Sequence, residues 1–273
     1  MRLDLFEELG PVCPRCLHQR GVTAALRLVE RIEMRAGRLW HGRLQCEAAD
    51  CQLEFPVIDG IPVILLDPGA FLAGARGHVL ARDDLPPVLE SLIGDAIGPG
   101  GEHDATRQHL SLYAGSQYAD WAGLGPSSLL PVVEAALGLA EAGPGVALDL
   151  GGGTGRGAFA LAAARGGPAL TAELNVSMLR FAQRLALEGR AVFARRRIGM
   201  VYDPVEVELP AGSGALAVDF WAIDAAALPF RPGAVPLAVA LNLLDCVPAP
   251  VNLVEELARV LAPGGGGGGV LAL

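Results

Sequence analysis

The sequence contains no lysine. All 21 of its basic residues are arginine, set against 30 Asp and Glu, which leaves a net charge of −9 over 273 residues. So acidic a chain lacks the broad basic surface that phosphate backbones select, and this weighs against a nucleic-acid partner, although a local arginine cluster remains open. Aromatic residues make up only 5%, so the places where they gather stand out. No uninterrupted apolar stretch reaches the length a membrane-spanning helix needs, and Met1–Glu8 has no apolar signal core. A cytoplasmic protein is expected, in which thiols stay reduced and the cysteines need a reading other than disulfides. Apolar residues are not scarce: at 52% hydrophobic, the chain has enough for one large or two modest packed domains.

Four of the five cysteines lie in the first 51 residues, as Cys13-Pro-Arg-Cys16 and Cys46-Glu-Ala-Ala-Asp-Cys51. A C-x2-C knuckle presents two thiolates from one turn, and a second pair can close a tetrahedral Zn²⁺ site. The looser spacing of the second pair leaves buried, incidental cysteines as the alternative. His18 and His41 are read as ordinary polar residues, because four cysteines already suffice. Between the pairs, Ala25–Val29 and Arg31–Met34 read as strands with a turn at Arg35–Arg38.

The stretch around which the rest is organised is Val146-Ala-Leu-Asp149-Leu-Gly151-Gly-Gly153-Thr-Gly155-Arg-Gly157, followed by Ala158–Ala164. An apolar run ending in an acid, then a glycine turn, then a helix start is the geometry that lets a backbone approach a nucleotide-like ligand. Gly153–Ala158 fits G-x-G-x-x-G/A, and Glu173 follows at about the distance of a ribose-binding acid. Locally, a dinucleotide and S-adenosylmethionine (SAM) both remain open. Downstream, the pattern predicts strands at 146–150, 168–173, 217–223, 235–243 and 270–273, with helices at 155–165, 176–188 and 250–261. A further helix is expected over Ser127–Ala140. Strands alternating with helical patterns mean an α/β, doubly wound, mostly parallel sheet. Residues 68–105, rich in Pro, Gly and Asp, read as a connector, with a short helix possible at Pro87–Ile93.

Four motifs in order carry a family resemblance. Asp149-x-Gly151-x-Gly153-x-Gly155 resembles the first motif of class I SAM-dependent methyltransferases, and Glu173-Leu-Asn175-Val-Ser-Met178-Leu179 their second. Ala222-Ile-Asp224-Ala225-Ala-Ala-Leu228-Pro229-Phe230 resembles their third, and Val260-Leu-Ala-Pro263-Gly264-Gly265 the turn before their fifth strand. The N-terminal cysteines, with Glu54-Phe-Pro-Val-Ile-Asp-Gly60-Ile-Pro-Val-Ile-Leu65, resemble the zinc ribbon of the small activator subunit of tRNA and translation-factor methyltransferases. These resemblances imply a ribbon over 1–67, a linker over 68–105 and a Rossmann-like methyltransferase domain over 106–273.

Site residues follow from the same resemblance. Asp149, Gly151, Gly153 and Gly155 are expected at the methionine end of the cofactor, with Asn175 and Asn242 close by. Glu173 is expected at the ribose hydroxyls, Asp224 and Ala225 at the adenine edge, and Leu228 against the ring. Cys13, Cys16, Cys46 and Cys51 would hold a structural Zn²⁺. Asn242 and Asp245 end the fourth strand as candidate catalytic residues, Asp245 as a base, an orienting group or a helix cap; Cys246 is read as core. Tyr113–Trp121, the densest aromatic cluster, either covers the cofactor and acceptor or anchors packing. Residues 190–216 read as an inserted hairpin, whose Arg195–Arg197 could bind an anionic acceptor or form a solvated face.

The pattern implies in-line methyl transfer to a small-molecule acceptor. An RNA methyltransferase with a zinc module, a non-catalytic SAM-binding scaffold and an NAD(P)-dependent oxidoreductase are the alternatives. The family's sixth and seventh strands are not seen before Leu273, so Val270–Leu273 is expected as an edge strand prone to self-association or to a partner.

Overall fold

A computed structural model describes residues 1–74, 99–139, 143–262 and 270–271. Among the described residues it holds eleven strands. β1 (Leu26–Arg35), β2 (Arg38–Cys46), β3 (Glu54–Ile58) and β4 (Ile61–Ile64) form an antiparallel N-terminal meander. β5 (Ala147–Leu150), β6 (Ala169–Glu173), β9 (Val218–Ile223), β10 (Leu237–Ala240) and β11 (Val270–Leu271) run parallel. β7 (Arg190–Ile198) and β8 (Val201–Glu208) make a separate antiparallel hairpin. The helices are α1 (Leu3–Leu9), α2 (Pro68–Gly74), α3 (Glu102–Gln117), α4 (Leu130–Gly138), α5 (Arg156–Arg165), α6 (Val176–Glu188) and α7 (Pro250–Val260). None among the described residues is long and apolar enough to cross a membrane.

The meander and the parallel strands share one nine-stranded sheet, ordered β1-β2-β3-β4-β9-β6-β5-β10-β11. The join is β4, antiparallel to β3 on one side and parallel to β9 on the other, with Val63 opposite Ala222 and Ile64 opposite Ile223. All four β4 residues are buried, as befits a strand covered on both faces. β11 closes the order at the far side, against β10.

Strand alternation divides the interior in two. On β9, Trp221 and Ile223 point into one core, with Phe6 of α1, Cys13, Cys16, Phe230 and the Leu253–Leu257–Val260 stripe of α7. Val218, Phe220 and Ala222 point into the other, with Tyr118, Phe159 of α5, Phe181 of α6 and Phe193 of β7. The first core thus packs the cysteine knuckles directly against the parallel sheet. α6 shows why such segments become helices. The Asn175 side chain caps its first turn by accepting from the Ser177 and Met178 amides, and its apolar stripe Met178–Leu179–Phe181–Ala182–Leu185 is buried.

One expectation needs correction. The predicted strands at 25–29 and 31–34 are one strand, β1, whose pairing with β2 slips between Leu28 and Glu30 and between Arg31 and Glu33. Such bulges break the two-residue alternation, so one strand reads as two. In the connector, where short helices are expected, α2 occupies 68–74, and α3 begins at Glu102. The helix expected at Pro87–Ile93 lies outside the described residues. The hairpin expected within 190–216 is present as β7–β8.

Trp221 joins the two halves of the first core. It is fully buried, its ring lies 6.3 Å from Phe6 and 6.4 Å from Phe230, and its indole N–H donates to Asp219 at 2.8 Å. Trp221→Ala should therefore lower unfolding free energy by about 3–5 kcal/mol in urea titration. A loss below about 1 kcal/mol would show that this packing contributes little.

Candidate functional site

The four N-terminal cysteines converge. Their sulfurs all lie within 4.8 Å of one another, with Cys16 to Cys46 at 3.7 Å and Cys13 to Cys51 at 4.0 Å. A tetrahedral zinc with Zn–S near 2.3 Å needs sulfur separations of about 3.8 Å. Backbone amides of Cys16, Ala48 and Leu53 donate to Cys13, Cys46 and Cys51 respectively, which favours thiolates. Burial opposes this, raising the Cys13 thiol and pushing Cys46 up to about 11. A dication at the centre resolves the conflict, so the donor set suits Zn²⁺ in a closed, structural site. His18 is engaged elsewhere: its Nε2 lies 3.2 Å from the Leu228 carbonyl and 3.4 Å from Glu256. The protein should carry about one zinc per chain, and Cys46→Ser should lose metal and stability together, read by elemental analysis and thermal melting. A folded, metal-free wild type would contradict the assignment.

The second site lies at the C-terminal ends of the parallel strands, where open α/β sheets bind ligands. Asp149 sits at its floor, 5% exposed, accepting from the Thr171 hydroxyl at 3.0 Å. A Cβ on Gly152 would fall 2.1 Å from that carboxylate, so the turn can pass over Asp149 only as glycine. At Gly155, φ is +80° and a Cβ would meet Phe220 at 2.5 Å. Above the turn lies a cavity of about 470 Å³, the size of a cofactor pocket.

Of the residues expected at the cofactor, Asp149, Gly151, Gly153, Glu173, Asn175, Asp224, Ala225 and Asn242 line this cavity. Gly155 does not, being packed beneath the turn. Leu228 is fully buried outside the lining, its amide bound to Glu256 at 2.8 Å. Asp245 is exposed and also outside the lining, whereas its neighbour Cys246 faces in. Glu173 accepts from the amides of Gly153 (3.2 Å), Leu174 (2.7 Å) and Asn175 (2.9 Å), which fixes the carboxylate at the end of β6. Asp224 accepts from the Ala226 amide at 2.9 Å, and the turn after β9 is set by that bond. Asn242 adopts φ of +51°, a left-handed conformation that asparagine tolerates.

The aromatic segment both lines the cavity and anchors packing. Tyr113 and Gln117, one turn apart on α3, line the cavity. Tyr118 is buried and donates to the Thr154 carbonyl at 2.8 Å, and Thr154 donates to Gln117 at 2.6 Å, so α3 is clamped to the glycine turn. Just beyond α3, Asp120 accepts from Arg156, whose guanidinium lies 4.0 Å from the Trp121 ring centre. Met178 of the second motif lines the cavity too, and so do His109, Leu129, Leu241 and Leu243, which no motif marked.

The deciding likeness is one of sequence. Residues 148–266 match the family described as "Methyltransferase domain". The match covers less than half of the chain. Among solved structures, the chain is similar to a protein from Methanococcus maripaludis described as a SAM-dependent methyltransferase (14% identity, 58% of this chain and 59% of that one, TM-score 0.41). It is similar to the [4+2]-cyclase SpnF (20% identity, 64% and 58%, TM-score 0.43). It is also similar to a chain of the complex between the Haloferax volcanii Trm112 methyltransferase activator and a methyltransferase (20% identity, 56% and 56%, TM-score 0.38). The chain thus spans less than two thirds of the length of each. No curated protein matches it.

The floor of the cavity has an electrostatic signature at Asp149. Burial, with the Glu173 charge adding, pushes its carboxyl up to about 7, although the Thr171 and Ala158 hydrogen bonds pull the other way. A raised carboxyl binds more protons folded than unfolded, so its contribution to stability is largest at low pH and is lost as pH rises through about 7. Asp149→Asn cannot titrate. Relative to wild type it should gain about 2–3 kcal/mol of stability between pH 5 and pH 8.5, read from paired urea titrations. A difference that stays constant with pH would contradict the burial argument.

Proposed function

We propose that the chain is a SAM-dependent methyltransferase acting by in-line transfer on a small-molecule acceptor in the cytoplasm, with a zinc ribbon over residues 1–67. A methyltransferase unit begins near residue 106 in this reading. The observation that carries it is the cavity itself, in which Glu173 and Asp224 end adjacent strands above the glycine turn.

Bound SAM supplies a methyl group already activated on a sulfonium, so the chain has mainly to place the reactants. Glu173 would accept from the ribose hydroxyls and Asp224 from the adenine amino group, with Ala225 beside it. The turn from Gly151 to Gly153 would border the methionine part. Tyr113, beside Gly153, and Asn242 also line the cavity, and α3, held by the Tyr118–Thr154 bond, would shield the chamber from water.

A small acceptor is favoured over RNA by charge. The net charge is −9, and two of the three clustered arginines on β7 are engaged. Arg196 donates to Gln108 at 2.8 Å, and Arg197 pairs with Asp203 at 2.8 Å. Little basic surface remains there to gather phosphates.

Glu173→Ala and Asp224→Ala should each weaken SAM binding by about 1.5–3 kcal/mol, the loss of a charge-assisted hydrogen bond. Asp245→Ala, outside the cavity lining, should leave SAM affinity near wild type while lowering turnover if it orients the acceptor. Isothermal titration reads all three. Wild-type affinity in both of the first two variants would refute the cofactor assignment.

A further inference from the structure

We propose that a second chamber of about 180 Å³, which shares Tyr113 and Asn242 with the cofactor cavity, is the acceptor site, and that it takes a small uncharged acceptor of the phenol class, with a compact apolar body and one donating hydroxyl. This rests on the reading of the larger cavity as the cofactor site.

Five residues line both spaces: Tyr113, Gln117, Leu129, Leu241 and Asn242. They form the wall across which a methyl group would have to pass. Glu173, Asp224 and the glycine turn line only the larger space, and Ser116, Ser128 and Val132 only the smaller. The division therefore separates a side that holds ribose- and adenine-type groups from one that does not.

The smaller chamber's lining sets its chemistry. Among the described residues no carboxylate, guanidinium or imidazole faces it. A carboxylate or phosphate guest would lose hydration with no counter-charge, which is costly. The walls Leu129, Val132 and Leu241 are apolar and suit a hydrocarbon body. Its serines have already spent their protons: the Ser116 hydroxyl donates to the Tyr113 carbonyl at 3.2 Å, and the Ser128 hydroxyl to the Ser116 carbonyl at 3.3 Å. What they still offer is oxygen lone pairs, which match a guest that donates. Burial, with Cys246, Glu173 and Asp245 nearby, raises the Tyr113 phenol, so that side chain stays neutral as well. Transfer then forms one oxygen–carbon bond as the carbon–sulfur bond breaks, with its electron pair kept by sulfur and the acceptor's proton passing to water.

The test titrates phenol, benzoate and phenyl phosphate separately into the full chain saturated with S-adenosylhomocysteine. Phenol should bind at least ten-fold more tightly than either anion. Val132→Trp, which fills the chamber from a half-exposed position on α4, should abolish phenol binding while S-adenosylhomocysteine affinity stays within two-fold. Phenol failing to bind, an anion binding as tightly, or phenol binding intact in Val132→Trp would each overturn the proposal. If S-adenosylhomocysteine itself does not bind, the cofactor reading falls first and this inference with it.

Discussion

The arrangement depends on a carboxyl group buried beneath a turn. Asp149 ends β5 at the base of the glycine loop, held by Thr171 of the neighbouring strand, and the backbone runs over it too closely for any side chain at position 152. That contact sets the path of residues 151–155, hence the floor of the cavity and the direction in which α5 leaves the sheet. Glu173 reaches back from β6 to the Gly153 amide, and α3 grips Thr154 from above. Three elements distant in sequence thus fix one loop, so the cavity is largely formed before any ligand arrives.

The N-terminal meander is integrated with this framework. β4 extends the parallel sheet, Arg2 donates its amide to the buried Asp219 at 2.7 Å, and Val12 donates to the Pro229 carbonyl at 2.9 Å. His18 lies against the Leu228 carbonyl, which also accepts from Arg259 of α7. The turn that carries Asp224 and Ala225 into the cavity is therefore tied at its far end to the cysteine-bearing segment. A zinc ion held by the four cysteines would be linked through these contacts to the turn after β9.

Much of the parallel-sheet half was legible in the sequence because its signals are local. Apolar runs such as Ala147–Leu150 and Val218–Ile223 are buried on both faces, and glycines or an N-cap asparagine mark their ends. Expected and observed boundaries there differ by at most one residue among the described residues, apart from β10, which is shorter at both ends, and α4, which begins three residues later than expected. The cysteine cluster was legible from spacing alone. What could not be read depends on contacts far apart in the chain. Nothing near Ile61–Ile64 announces a partner strand about 160 residues away. Leu228 carries the motif's residue type, yet Glu256 on α7 draws its backbone outward, away from the cavity. Tyr113 and Gln117 face the cavity only because α3 docks through Tyr118, and β1 looked like two strands because its bulges interrupt the alternation.

The most direct test of the account is a crystal structure of the full chain with S-adenosylhomocysteine. The account predicts the ribose hydroxyls within hydrogen-bonding distance of Glu173, the adenine beside Asp224 and Ala225, and the sulfur facing Tyr113 and Asn242. Density for the ligand anywhere other than above the Gly151–Gly153 turn, or a ribose that leaves Glu173 bonded only to its three backbone amides, would contradict it.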